Sequence, residues 1–223
     1  MKTELVIFDL DGTLLNTIND LGTATNYALA ECGYPTHELA AYPFFVGNGV
    51  TRLLTRALPE GMKTEQNVVA LRRKFMEYYG EHNTDTTHPY DGIPELLADL
   101  QALGVKLAVA SNKYQSAVDK LISHFFPNIR WAAIEGQKED YPVKPDPSIV
   151  FDILSKNPTP KSDVLYVGDS GVDMETARRA CVESVGVTWG FRLVAELREY
   201  HADHIATLPA QIIDLVKDVP GGI

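Results

Sequence analysis

Leu5-Val6-Ile7-Phe8-Asp9-Leu10-Asp11-Gly12-Thr13-Leu14-Leu15 joins a continuous apolar run to two closely spaced carboxylates. Leu5 to Phe8 contains no polar residue and mixes leucine with β-branched and aromatic members, the composition of a strand buried on both faces. Two acids at the end of a buried strand cost free energy unless a cation or hydrogen-bond donors compensate them. A hard divalent cation such as Mg²⁺ meets that need, because it takes one or two carboxylates and keeps water and phosphate oxygens as its other ligands. The Asp11-Gly12 step between hydrophobic runs is also a strong hairpin signal. The stretch alone leaves both readings open.

At 223 residues the chain is longer than one typical domain and shorter than two, so a core domain with a smaller inserted or appended unit is expected. With 45% hydrophobic and 22% charged residues it has the composition of a soluble globular protein with a sizeable core. The formal net charge of −10 argues against nucleic acid as a partner, since its binders carry a basic footprint. An anionic substrate would have to be drawn in by local cations. Cys32 and Cys181 form no disulfide framework and no Cys-x-x-Cys zinc motif. Met1-Lys2-Thr3-Glu4 lacks signal-peptide anatomy, and no apolar run is long enough to span a bilayer. The expectation is a cytoplasmic protein with no membrane partner.

After Leu15 the periodicity becomes helical. Thr17 can cap a helix in which Ile18, Leu21, Ala24, Ala28 and Leu29 recur at helical spacing, with Gly33 and Pro35 as stop signals. Val50–Leu58 and Val68–Tyr79 repeat the pattern, and the polar, proline-bounded segment 83–89 reads as loop. Residues 16–85 are therefore expected to form a small all-helical unit, inserted into a main domain made of 1–15 and 86–223. From Asp91 onward, helices alternate with short apolar strands. The strands are expected at Val105–Ala110, Trp131–Ile134, Val164–Val167, Glu183–Thr188 and His204–Ala206. The helices are expected at Ile93–Leu103, Ser116–Phe126, Asp146–Ser155, Glu175–Cys181, Ala195–Tyr200 and Ala210–Val216. Such alternation builds an α/β fold with a doubly wound, mainly parallel, Rossmann-like sheet covered on both faces.

In open α/β sheets, ligands sit beyond the carboxyl ends of the strands. Three expected strands end there in polar groups, Asp9-Leu10-Asp11, Ser111-Asn112 and Gly168-Asp169-Ser170, and the loop carrying Lys144 can reach the same edge. Each group has a plainer reading. Ser111-Asn112 can cap the next helix, Lys144 can be a solvated loop lysine, and Asp169 and Asp173 suit a helix N-terminus. Capping does not explain why three acids, hydroxyl and amide donors and one cation should meet at one edge. The chain has no Gly-x-x-x-x-Gly-Lys-Ser/Thr phosphate loop and no Gly-x-Gly-x-x-Gly after its first strand. Gly168-Asp169-Ser170-Gly171 superficially resembles a serine-protease nucleophile loop, but it ends a buried strand in an α/β chain without disulfides. Arg52, Arg56, Arg72 and Arg73 are expected on solvated faces, with one of them available to an anionic substrate. The Gly47-Asn48-Gly49 loop suits close approach to a ligand or a simple turn.

In this order, the groups resemble the four motifs of the haloacid dehalogenase-like superfamily of phosphatases. Asp9-Leu10-Asp11-Gly12-Thr13 matches the first, Ser111-Asn112 the second, Lys144 the third and Gly168-Asp169-Ser170-x-x-Asp173 the fourth. The insertion at 16–85 sits where that family places a helical cap. Within the superfamily the chain is most similar to phosphoglycolate phosphatases, through Val46-Gly47-Asn48-Gly49-Val50, Tyr78-Tyr79, Tyr90-Asp91-Gly92 and the fourth motif. Asn16-Thr17 stands where many relatives carry Asp-Ser or Asp-Thr. The resemblance implies a hydrolase in which Asp9 attacks phosphorus and becomes an aspartyl-phosphate, while Asp11 acts as general acid and then base. It implies Mg²⁺ held by the Asp9 carboxylate, the Asp11 main-chain carbonyl and Asp169. Phosphoryl oxygens would be bound by Ser111, Asn112, Lys144 and Gly12, with Asp173, Ser170 and Thr13 in support. Asn48, Gly49 and Arg52 would be cap contacts to a small phosphorylated metabolite, 2-phosphoglycolate, in a monomer or homodimer.

The same fold hosts other outcomes. Another small phosphoester or pyrophosphate would use the same chemistry. A dehalogenase would leave Asp11 and the metal cluster unneeded, and the Gly47–Val50 loop lacks the arginine that the best-known mutases of the superfamily carry there. A receiver-like signalling module also uses an aspartyl-phosphate, acids and a lysine. The length, the helical insertion and the Asp9-x-Asp11 spacing count against it.

Overall fold

A computed structural model describes residues 3–217; Met1, Lys2 and 218–223, the outer ends of the two expected core segments, lie outside the described residues. Strand β1 (Leu5–Phe8) is followed by the two-residue strand β2 (Leu15–Asn16), helices α1 (Ile18–Glu31), α2 (Val50–Ala57) and α3 (Glu65–His82), and a second two-residue strand, β3 (His88–Pro89). The rest alternates: α4 (Ile93–Ala102), β4 (Lys106–Tyr114), α5 (Gln115–Phe125), β5 (Trp131–Gln137), α6 (Ser148–Lys156), β6 (Val164–Gly168), α7 (Gly171–Ala180), β7 (Glu183–Val187), α8 (Val194–Glu199), β8 (His204–Ala206) and α9 (Ala210–Lys217). Six strands form one sheet in the order β5-β4-β1-β6-β7-β8, parallel at every pairing. The expected α/β class and doubly wound sheet are present. Among the described residues, no helix is long and apolar enough to cross a membrane.

β1 lies between β4 and β6, with Ile7 in register with Ala108 on one side and Tyr166 on the other. Parallel partners on both sides exclude the hairpin reading of Asp11-Gly12. Alternation along β1 feeds two apolar layers. Val6 and Phe8 pack with α4, α5 and α9 on one face, and Leu5 and Ile7 with α6 and α7 on the other. All four side chains are fully buried, each contributing about 1.5–3 kcal/mol. The carboxylates that follow therefore stand on a fixed platform.

Helices α1 to α3 carry an apolar cluster of their own, in which Leu21, Leu29, Leu54, Leu71 and Phe75 surround Tyr42. Tyr42 lies in a 3₁₀ turn, Leu39–Phe44, that the sequence did not signal. Four local expectations change, the first at helix α7, which begins at Gly171 and not at Glu175 because Ser170 and Asp173 form a capping box. Strand β4 runs past Ala110 to Tyr114, because Tyr114 still pairs with Gln137 after a register shift; Ser111 and Asn112 thus lie inside a strand, and the residue capping α5 is Tyr114. Helix α6 starts at Ser148, since Asp146 Oδ1 accepts from Ser148 N–H at 2.9 Å and Oγ at 2.5 Å instead of joining the helix. Thr17 makes no side-chain cap on α1; its hydroxyl donates to Asp11 Oδ1 at 2.7 Å.

The chain leaves and re-enters the sheet region side by side. Asn16 pairs with His88 and Leu15 with Pro89 in an antiparallel ribbon too short to leave a period-2 signature. Asp20, on the first turn of α1 and nearly fully buried, ties the two crossings. It accepts from Thr86 N–H (3.0 Å) and Oγ1 (2.5 Å), and from Thr87 N–H (2.9 Å) and Oγ1 (2.7 Å). Burial alone would raise this carboxyl, but the four hydrogen bonds outweigh it and hold Asp20 below its ordinary value of 3.8. A depressed folded-state pKa gives stability that is present above the unfolded value and fades as pH falls through the acid range. Asp20→Ala should therefore cost about 2–3 kcal/mol in urea denaturation at pH 7, and progressively less as pH falls through the acid range. A cost below about 0.5 kcal/mol at pH 7 would show that the crossings hold without it.

Candidate active site

Asp9 continues β1, its N–H donating to Val167 O at 2.9 Å, which delivers its carboxylate to the sheet edge. The Lys144 ammonium spends its three donors on Asp9 Oδ1 (2.7 Å), Asp173 Oδ1 (2.7 Å) and Ala110 O (2.9 Å). Lys144 is only 3% exposed, which overturns its reading as a solvated loop lysine. Its loop is strapped down by Asn112, whose Oδ1 accepts from Lys144 N–H (2.8 Å) and whose Nδ2 donates to Lys144 O (3.1 Å) and Gly47 O (3.4 Å). The Asn112 amide is thus engaged by protein on both ends, linking β4, the Lys144 loop and the Gly47 loop.

Asp169 and Asp173 enter from the turn between β6 and α7. Asp173 Oδ2 accepts from Ser170 N–H (3.2 Å) and Oγ (2.6 Å), so with Lys144 on Oδ1 both of its oxygens are engaged. Asp169 Oδ2 accepts from Phe191 N–H at 2.7 Å. Two glycines make room for it. A Cβ at Gly12, whose φ is +92°, would stand 2.4 Å from Asp169 Oδ2, and one at Gly190 would stand 2.3 Å from Asp169 Cβ. Gly12 N–H donates to Leu15 O at 2.9 Å, so this amide serves the turn and is not, as the sequence reading expected, available to a ligand. Thr13 is fully buried behind the turn, its carbonyl accepting from Trp189 Nε1 at 3.0 Å.

One oxygen from each of Asp9, Asp169 and Asp173 fits within a 4.8 Å cluster. Burial pushes the Asp9 carboxyl up to about 7 against the pull of Lys144, with Asp173 adding to the rise. Burial, then Asp173 and Asp9, push Asp169 well above the carboxylate range. Burial favours the neutral amine of Lys144, yet Asp173 and Asp9 hold it protonated. Three buried carboxylates against one ammonium leave an excess of negative charge, which favours the protonated forms of Asp9 and Asp169. A hard divalent cation would relieve it while leaving Asp9 ionised. Asp9 Oδ2 and Asp169 Oδ1 accept no hydrogen bond from the described residues, and this all-oxygen donor set suits such a cation.

Asp11 faces the helical unit. Its carboxylate accepts from Lys113 Nζ at 2.8 and 3.0 Å as well as from Thr17. Lys113 was not anticipated, although its place directly after Ser111-Asn112 on a strand aimed at the site was the available signal. Ser111 Oγ accepts from Lys113 N–H at 3.2 Å and lines the cavity that Asp9 and Asp11 share with Gly49 and Tyr79. Burial pushes the Tyr79 phenol up to about 12, so it stands as a neutral hydroxyl. Asn48 and Arg52 border an adjacent groove with Gln137 and Pro145. Arg56 is not a solvated-face charge: its guanidinium donates to Asn48 Oδ1 (2.6 Å) and Phe45 O (2.9 Å), shaping the loop. Arg192, also unanticipated, reaches from the loop after β7 to Pro43 O and Val46 O, each at 2.8 Å. Lys144→Met would strand two buried carboxylates, and should cost about 3–5 kcal/mol in urea denaturation of metal-free protein. A cost below about 1 kcal/mol would contradict the central place given to that ammonium.

Comparison with known proteins follows the geometry. The family model described as haloacid dehalogenase-like hydrolase matches residues 6–187. The phosphoglycolate phosphatase of Pseudomonas syringae pv. tomato is 34% identical over 98% of this chain and 79% of its own length. That of Haemophilus influenzae is 31% identical over 96% of this chain and 98% of its own. The crystal structure of a candidate phosphoglycolate phosphatase from Lactobacillus delbrueckii subsp. bulgaricus superposes with a TM-score of 0.91 at 31% identity, covering 97% of this chain and 99% of that one. The four polar groups at the sheet edge are thus carried on a shared fold, and the chain belongs to the haloacid dehalogenase-like hydrolase family, among its phosphatases.

Proposed function

We propose that the chain is a Mg²⁺-dependent phosphomonoesterase that passes a phosphoryl group through Asp9, with 2-phosphoglycolate as its substrate. The observation that carries the chemistry is the pairing of Asp9 with a fully engaged Lys144 ammonium beside Asp169. The substrate rests on the names of the curated relatives over nearly the whole chain.

A carboxylate approaching a phosphate dianion meets repulsion of about 1 kcal/mol per charge pair at 4 Å in water, and about 4 kcal/mol at an effective dielectric of 20. Mg²⁺, with Asp9, Asp169 and the Asp11 carbonyl as its protein ligands, would offset that repulsion and the charge developing on the phosphoryl oxygens. Lys144 holds the Asp9 carboxylate in one orientation, from which it can attack phosphorus in line. The Asp9 O–P bond forms as the ester P–O bond breaks, and the electron pair leaves on the alkoxide oxygen. Asp11 donates a proton to that oxygen, then removes one from the water that attacks phosphorus and restores Asp9. Ser111 Oγ would bind a phosphoryl oxygen, while Lys144 holds the Asp9 carboxylate and Asn112, Asp173 and Ser170 fix the lysine loop. The helical unit, residues 16–85, acts as a cap that excludes water and reads the leaving group.

Asp9→Asn should lower steady-state phosphate release at least about 10³-fold while leaving the far-ultraviolet circular dichroism unchanged. Near-normal turnover in that variant would remove Asp9 from the chemistry. Chelation of divalent ions should abolish phosphate release from 2-phosphoglycolate, and added Mg²⁺ should restore it. Activity that survives exhaustive chelation would exclude a metal-dependent reaction.

A further inference from the structure

The cavity over Asp11 contains a cation and a hydroxyl that the phosphoryl chemistry does not use. Of the cations lining it, Lys144 is spent on two carboxylates and a carbonyl, and Arg192 on the carbonyls of Pro43 and Val46. Lys113 differs. Its ammonium gives two hydrogen bonds to Asp11, and its third donor faces the Tyr79 hydroxyl without reaching hydrogen-bonding distance of it. It is buried, with 5% of its side chain exposed. It lies 4.9 Å from the centre of the Tyr79 ring, over its face. Tyr79 is 4% exposed, lines the same cavity, and its hydroxyl is buried with no hydrogen-bond partner. A buried hydroxyl left unpaired costs about 1–3 kcal/mol, so its presence at a cavity wall calls for a ligand atom.

We infer that Lys113 and Tyr79 together read the carboxylate of the leaving group. The inference rests on the proposed phosphomonoesterase reading and supplies its specificity. Asp11 must reach the ester oxygen to protonate it, and Lys113 sits against Asp11. A carboxylate one carbon away from that ester oxygen therefore falls beside the ammonium's unused donor, and the Tyr79 hydroxyl can donate to its other oxygen. Sugar phosphates and nucleotides carry no negative charge at that position. A site built around a charged partner discriminates strongly against analogues that lack it, because the buried groups are then left unpaired.

The test compares 2-phosphoglycolate with its uncharged amide, phosphoglycolamide, which has the same ester linkage. In the wild type, kcat/KM should favour the carboxylate at least 30-fold. Lys113→Met should cut that ratio at least tenfold and Tyr79→Phe about threefold, chiefly through KM for the carboxylate. Lys113→Arg should recover most of the preference. If Lys113→Met slows both substrates equally and leaves the ratio within twofold, the lysine only positions Asp11 and the inference is overturned. A wild type that releases phosphate from 2-phosphoglycolate with no preference over the amide overturns it as well. Release from neither compound, with turnover of another phosphomonoester, defeats the phosphoglycolate reading itself.

Discussion

The Lys144 ammonium, held between Asp9 and Asp173 and capped by the Ala110 carbonyl, is the interaction on which the rest of the site depends. A buried lysine is costly unless every donor is satisfied, and buried carboxylates are costly unless a cation answers them. Here each requirement answers the other. The arrangement is still short of positive charge, because Asp169 has no ammonium of its own and is pushed toward its protonated form by burial and by its neighbours. A fold that needed only stability would place apolar side chains at this edge. A fold that handles a phosphoryl group needs this charge deficit, since it reserves the place for a cation.

The sheet makes the arrangement possible. β1 is the strand at which the connections diverge, with β4 on one side and β6 on the other, so Asp9, Ser111 and Asp169 emerge side by side from three adjacent strands. Ligands in open parallel sheets gather at such a switch point. The second layer of control lies in how loops are held to one another. Asn112 ties the Lys144 loop to Gly47, and Arg192 ties the loop after β7 to the same stretch of the helical unit. The helical unit bears on the acid edge through these polar ties and through Ala117 and Phe191, which pack on its apolar cluster, while Asp20 anchors its two chain crossings.

Much of this was legible in residue order. The apolar run ending in Asp9 and Asp11 and the alternation after Asp91 predicted the parallel sheet and its polar edge, since burial on both faces and strand-end acids leave a plain composition. Boundaries were less legible. Ser111 and Asn112 look like a helix cap because their types favour caps, yet pairing with β5 keeps them in a strand. Asp146 looks like the start of a helix, but its side chain prefers the Ser148 amide. The roles of Lys113, Tyr79 and Arg192 depend on contacts far apart along the chain, and no local pattern encodes those. Asn48 and Arg52 fall beside the main cavity, and Arg56 holds the Asn48 amide oxygen there.

The most direct test of the proposed chemistry is chemical trapping on the nucleophile. Enzyme turning over a phosphomonoester with Mg²⁺ is quenched in acid, reduced with borohydride, and its peptides are mapped by mass spectrometry. An acyl phosphate is reduced to the alcohol, so homoserine in place of Asp9, absent from a control without substrate, is the predicted result. Homoserine at Asp11 or Asp169 with Asp9 intact would contradict the assignment of Asp9 as the group that takes the phosphoryl.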